Sequence, residues 1–147
     1  MPAPPPPIVE LMARFQVADF DEFYETRFGV FAQLRAHGVP VITGVDSGMC
    51  PFKRHGNTWR AIGDQVQGGY PVAEALASAT SLAADACGLA TETGRLAAGY
   101  AADLLVVDGD LAKEVSVLSS PRSVLVRGTA STHGTSTQGK ETSGRTV

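Results

Sequence analysis

VPVITGVDSG, residues 39–48, is the stretch whose reading decides the fold. Its first seven residues are mostly β-branched and apolar, with no polar alternation. That pattern predicts a strand over 39–45 buried on both faces, as in a parallel sheet. The residues before it, 21–36, predict a helix. Asp19 or Asp21 can cap it, Glu22 lies in its first turn, and Phe23, Phe28, Val30, Phe31 and Leu34 recur at near-helical spacing. His37-Gly38 follows, and a glycine just past a helix is the usual C-terminal cap. Helix, glycine turn and buried strand in succession make the αβ half of a βαβ unit. The fold class read from this stretch is α/β.

The strand ends in Asp46-Ser47-Gly48. A carboxylate at the C-terminal end of a buried parallel strand sits where α/β enzymes keep their chemistry. An aspartate there can equally cap the next turn, and position alone does not separate the two. Ser47 lacks the Gly-x-Ser-x-Gly spacing of a nucleophile elbow. His55 lies in PFKRHG on the glycine- and proline-containing loop that follows, nine residues after Asp46, and is placed to hang over the same strand end. It is a candidate for contact with a substrate, against the plain alternative of a solvated loop histidine. Lys53 and Arg54 beside it could hold an anionic group, but a solvated charge cluster is the commoner arrangement. His37 reads as a helix-end residue favoured by the dipole, and His133 lies in a Ser/Thr/Gly-rich tail.

Farther along, Thr58–Val66 predicts a short helix ended by Gly68-Gly69. Pro71 opens a second helix that Gly88 closes, with an inward stripe of Val72, Ala75, Leu76, Ala79, Leu82, Ala83 and Cys87. Ala102–Val107 and residues 123–127 predict strands, the first ending in an Asp-Gly turn. Asp103 at the start of the first reads as a turn or strand-edge carboxylate. The five prolines in the first seven residues predict polyproline II or loop, with no helix before Ile8.

Composition narrows the function. The chain has 147 residues, 44% hydrophobic, with 12 Lys plus Arg against 15 Asp plus Glu and a formal charge of −3. No basic run marks a nucleic-acid partner, and no apolar run reaches the ~20 residues of a membrane span. The start, MPAPPPPIVELM, has neither the basic residues nor the long apolar stretch of a signal peptide, so a cytoplasmic location is expected. Two cysteines, Cys50 and Cys87, are too few for a disulfide scaffold. A complete (β/α)8 barrel needs about 250 residues, more than this chain contains. The three histidines, His37, His55 and His133, include no His-x-His pair and no pair at helical spacing.

Four segments then fall into one order: GVPVITGVDSG at 38–48, QGGYPVAEALASATSLAADACGL at 67–89, GRLAAGYAADLLVVDGD at 94–110, and SVLVRG at 123–128. Together they resemble the C-terminal end of the metal-dependent amidohydrolase superfamily, in its imidazolonepropionase and Xaa-Pro-dipeptidase-like branch. The resemblance covers roughly residues 20–128, and the Gly-x-Leu-x-x-Gly…Ala-Asp-Leu-Leu-Val-Val-Asp run at 94–108 is its most specific part. It implies a C-terminal fragment of a (β/α)8 hydrolase barrel plus strands of the flanking β-sandwich. On that reading, 1–18 is a Pro-rich leader, 19–93 carries the last barrel helices and strand eight, 94–128 the returning sandwich strands, and 129–147 a disordered tail.

The resemblance also implies chemistry. Asp46 matches the aspartate that ends strand eight, binds the catalytic Zn²⁺ or other divalent metal, and passes a proton from the attacking water to the leaving group. His55 matches the loop that contacts substrate, and Asp103 becomes a structural residue where the chain re-enters the sandwich. The substrate class is a small-molecule amide, and the parent reaction is metal-assisted hydrolysis of a dipeptide or non-peptide C–N bond. No counterpart of the family's His-x-His pair, bridging ligand or two further histidines is present in these residues. The expectation is therefore a truncated, mis-started or split enzyme without a complete metal site or activity of its own; in the split case a second chain carries the remaining barrel. The alternative is a non-catalytic remnant or interaction module that needs a partner, poorly soluble or oligomeric alone because of an open sheet edge.

Overall fold

The computed structural model describes residues 6–14, 20–48 and 54–131. Five helices come first: α1 (Pro6–Arg14), α2 (Phe20–Ala36), α3 (Thr58–Gln67), α4 (Val72–Ser78) and α5 (Ser81–Ala86). Strand β1 (Leu104–Val106), a 3-10 turn (Val115–Ser119), β2 (Ser123–Val126) and β3 (Thr129–Ser131) follow. The candidate cap Asp19, together with Cys50, Lys53 and His133, lies outside the described residues.

Helix α2 forms as its sequence predicts, and its end is set by one glycine. Gly38 N–H bonds Arg35 C=O and Val39 N–H bonds Leu34 C=O, at 3.0 and 2.9 Å. That bond pair is the Schellman closure, which needs a left-handed residue; Gly38 takes φ +66. The same bond pair closes α3 through Gly69 and Tyr70, and α5 through Gly88 and Leu89. The predicted stripe of α2 is only half covered. Phe31 and Leu34 are half-buried, whereas Phe23 and Val30 are each 47% exposed.

The core gathers where α2, α3, α4 and the 3-10 turn meet. Ile62, Tyr70 and Ala75 are buried there, with Phe31, Val41, Leu76, Val115 and Leu118 packed around them. Phe31 and Tyr70 meet edge to face, ring centroids 6.2 Å apart, the geometry aromatic quadrupoles favour. Arg27 crosses from α2 to pair with Asp64 on α3 at 3.0 Å, and its guanidinium lies 5.5 Å from the Phe31 ring centre.

Four expectations are corrected. Residues 39–45 do not form a strand buried on both faces; among the described residues no strand pairs with them. They keep a strand's two-residue alternation instead. Val41, Thr43 and Val45 are partly covered, while Ile42, Gly44 and Asp46 are exposed. Burial on both faces needs flanking strands and a second layer, and the described residues place neither on the Ile42–Asp46 side. The single helix expected from Pro71 is two, broken at Ala79-Thr80. Thr80 has φ −131 and ψ −96, and its hydroxyl donates to Leu76 C=O at 2.8 Å, the local competition that makes threonine a poor helix-interior residue. Residues 129–131, placed in the disordered tail by composition, form β3 against β2. Helix α1 starts at Pro6 rather than after Ile8, because prolines in a first turn lack only an N–H that would have no partner there.

The sheet is antiparallel in the order β1-β2-β3. Leu104 pairs with Leu125 and Val106 with Ser123, and Val126 pairs with Thr129 across a two-residue turn. Both turn residues, Arg127 and Gly128, have positive φ, at 49° and 78°, as a tight hairpin that follows strand twist requires. Asp103 organises this corner: its carboxylate accepts from Arg127 N–H at 2.9 Å and from the Thr93 hydroxyl at 3.1 Å.

Candidate functional site

Past the end of 39–46, the chain returns His55 against Gly48, two residues beyond Asp46. The Ser47 hydroxyl donates to Arg54 C=O at 3.3 Å and closes the base of the loop. The His55 ring packs against Gly48; a Cβ built on that glycine would lie 2.8 Å from His55 Nε2. Gly48 also has φ +89, so both the backbone and the imidazole call for glycine there. Asp46 stands two residues before Gly48, is exposed, and has φ +49. A non-glycine residue in the left-handed region is uncommon, and aspartate is among the residues that tolerate it. Ser47 makes a structural bond here and is no nucleophile elbow. His37 lies in the turn after α2, away from this loop in sequence, and bonds through its backbone to Gln33.

Three residues before Asp46, Thr43 joins a buried polar chain that sequence reasoning missed. Gln65 Nε2 donates to Thr43 Oγ1 at 2.9 Å, and Thr43 Oγ1 lies 2.6 Å from Ser78 Oγ. Ser78 Oγ donates to Ala75 C=O at 2.7 Å. A serine hydroxyl has one proton, so Thr43 is the donor to Ser78, and the protons run in one direction: Gln65 to Thr43 to Ser78 to Ala75. The Thr43 N–H also bonds Ser78 C=O at 2.9 Å. Gln65 and Ser78 are only 2% and 1% exposed. Single polar residues inside apolar stripes were the available signal. Nothing local says that residues 22 and 35 positions apart meet.

A hollow of about 320 Å³ opens between α3, the start of α4 and the 3-10 turn, lined by Trp59, Val66, Val72 and Glu114 among others. It shares no lining residue with the Asp46–His55 loop. Among the described residues no group of three or more His, Cys, Asp or Glu side chains could hold a metal ion. A catalytic zinc needs about three protein ligands and one open position. One carboxylate and one imidazole fall short of that set, so the described residues do not by themselves fit the metal.

The profile of the amidohydrolase family matches residues 26–131. The chain belongs to that family. Among solved structures it is similar to a protein from Bifidobacterium longum assigned as a prolidase, with 33% identity and a TM-score of 0.66 over 70% of this chain and 25% of that one. It is likewise similar to a Xaa-Pro dipeptidase with methionine bound in its active site, with 28% identity and a TM-score of 0.65 over 71% of this chain and 25% of the other. Molinate hydrolase shares the fold at 21% identity, with a TM-score of 0.62 over 69% of this chain. No curated protein matches the chain. The chain spans about a quarter of the length of these solved relatives. Among the described residues no helix is long and apolar enough to cross a membrane.

Proposed function

We propose that this chain forms the C-terminal part of an amidohydrolase barrel and contributes Asp46 to its active site. Helix α2, the segment 39–46 and helices α3 to α5 then correspond to the last barrel units, with 39–46 as strand eight. The antiparallel sheet corresponds to strands of the flanking β-sandwich. The observation that carries the reading is the alternation along 39–46. Thr43 points into the helical layer, which leaves Ile42, Gly44 and Asp46 on the open side, where a barrel interior would lie.

In that position the Asp46 carboxylate is the general base and then the general acid of a C–N hydrolysis. It takes a proton from the attacking water and delivers it to the leaving nitrogen. His55, on the loop packed over Gly48, is placed to contact the substrate. Two relatives are described as a prolidase and a Xaa-Pro dipeptidase, which supports a dipeptide or related small amide as the substrate. The remaining ligands for zinc or another divalent metal come from outside this chain, on a longer polypeptide or a second chain carrying the rest of the barrel.

The 147-residue chain alone is therefore expected to show no hydrolysis of Xaa-Pro dipeptides, and Asp46→Ala will leave that result unchanged. Combined with the polypeptide that supplies the remaining barrel, the chain will turn over, and Asp46→Ala will abolish turnover. Stoichiometric tight zinc with amidase activity from the chain alone refutes the reading. A second reading, a non-catalytic module that binds a partner, is favoured by the apolar side chains left open. Ile42 is 48% exposed, Leu105 49%, Val126 55% and Leu96 83%. Assembly with the complementary barrel but no metal-dependent turnover would support it.

A further inference from the structure

We propose that the hydrogen-bonded chain Gln65–Thr43–Ser78 positions Asp46. It sets which face of residues 39–46 the carboxylate occupies. The importance of that face rests on the reading of Asp46 given above; the positioning itself does not.

The argument starts from register. Side chains of an extended segment alternate, so a slip of one residue would exchange the faces of residues 41–45 and redirect the left-handed turn at Asp46 that leaves the segment. Two features normally prevent such a slip: pairing with neighbouring strands, and a polar-apolar pattern. Among the described residues no strand pairs with 39–45. The pattern is equally uninformative, because Val41 and Ile42 are interchangeable by hydrophobicity. Thr43 breaks that degeneracy. Its hydroxyl accepts from α3 and donates to α4, and its N–H bonds the C=O of the last residue of α4. Three bonds from two helices hold one residue, three positions before Asp46, at the same parity as Val41 and Val45. No neighbouring side chain of 39–46 can substitute, because no other carries a hydroxyl before Ser47.

The device has a cost that a purely apolar core would avoid. Gln65 Oε1 is buried and has no partner among the described residues. A buried amide retained with half its bonding unmet suits a group kept for specificity of placement better than one kept for stability.

The test is heteronuclear NMR on the full 147-residue chain. In wild type the Thr43 amide is expected to be protected from hydrogen exchange, and Asp46 to give the strong intraresidue HN–Hα contact of a left-handed residue. Gln65→Met and Thr43→Val should leave the signals of α2 and α4 in place. Both should abolish the left-handed signature of Asp46 and speed exchange of the Thr43 amide (or of the valine amide that replaces it) by about tenfold, the scale of one lost hydrogen bond. Thr43→Ser keeps the hydroxyl and should restore both. A merely structural role would lower the melting temperature and leave Asp46 untouched. That outcome overturns the proposal. Should those chains not fold, Ser78→Ala, which removes one partner of the Thr43 hydroxyl, decides: loss of the left-handed Asp46 signature upholds the proposal and its retention overturns it. Unprotected Thr43 beside protected amides in α3 of the wild-type chain overturns it as well. No step reads hydrolysis, so failure here is distinct from failure of Asp46→Ala to abolish turnover in the completed enzyme.

Discussion

Replacing Gly68 with alanine tests the packing that holds the site's scaffold together. Gly68 is buried at the C-terminal cap of α3, with φ −76 and ψ 9. Alanine adopts that backbone without strain, so only sterics decide the outcome. An added Cβ would lie 2.6 Å from Phe31 Cβ and 3.0 Å from Phe31 Cδ2. Ordinary contact begins near 3.4 Å, so the shortfall is about 0.8 Å. Phe31 Cβ is anchored to the backbone of α2 and cannot swing aside by rotation. Helix α2 must therefore retreat from α3. That loosens the Phe31–Tyr70 contact and the Arg27–Asp64 pair. Overpacking of this kind costs about 1–3 kcal/mol, and the entropy alanine removes from the unfolded chain returns about 0.4–1 kcal/mol. The net expectation is a loss of about 1–2 kcal/mol, a fall in melting temperature of about 2–8 °C for a chain of this size. The control is Gly63→Ala, inside α3 with nothing within 4 Å of the new Cβ, which should gain about 0.5–1 kcal/mol. Thermal unfolding followed by far-ultraviolet circular dichroism reads both. A Gly68→Ala chain as stable as wild type, or stabilised as much as Gly63→Ala, would refute the packing of α2 on α3.

Other expectations follow from individual groups. Burial holds the Asp64 carboxyl above its usual range, and outweighs Arg27 and Arg60, which pull it down. The folded state then keeps that proton to higher pH than the unfolded chain, so the associated stability is complete below the unfolded pKa and is lost as pH rises through the folded one. Asp64→Asn should thus be the more stable chain at pH 7 and match wild type in acid; a variant less stable at pH 7 contradicts this. Glu114 has the opposite sign, because its bond from Ser116 holds it below its usual range, and its contribution is lost as pH falls through the folded pKa. Gly48→Ala should displace the His55 ring and strain a turn at φ +89; an unchanged His55 imidazole spectrum would show that the ring does not pack there. On a sizing column the chain should run as oligomers, since Leu105 and Val126 leave the sheet's face partly open; a monodisperse monomer contradicts this.

Much of the local structure was legible in the residues. Glycine after a helical stripe marked the ends at Gly38 and Gly88, and both take the left-handed conformation the closure needs. β1 and β2 lie inside the two predicted strands, one or two residues shorter at the ends. Asp46 and His55 stand nine residues apart in sequence, and the contacts of Ser47 with Arg54 and of Gly48 with His55 draw together the two ends of the segment between them. The break at Thr80 was not legible, because the alanine stripe continues through it and the competing bond to Leu76 is a matter of geometry. The pairing of β3 was hidden for a related reason. Thr129-Ala130-Ser131 has little apolar surface and orders through backbone bonds to β2 and the Asp103-braced turn.

The sequence by itself determined the family, helices α2 and α3, strands β1 and β2, and the presence of one aspartate at the end of an apolar run. Local spacing and capping chemistry act over a few residues, and the chain carries them wherever it folds. Only the tertiary structure decided which way that aspartate faces. Apart from Thr43, the residues leading to Asp46 are apolar, so their two faces are nearly equivalent. The choice between them was made by Gln65 and Ser78, which reach Thr43 from two helices distant in the chain and bond the one hydroxyl that precedes Asp46 in the segment.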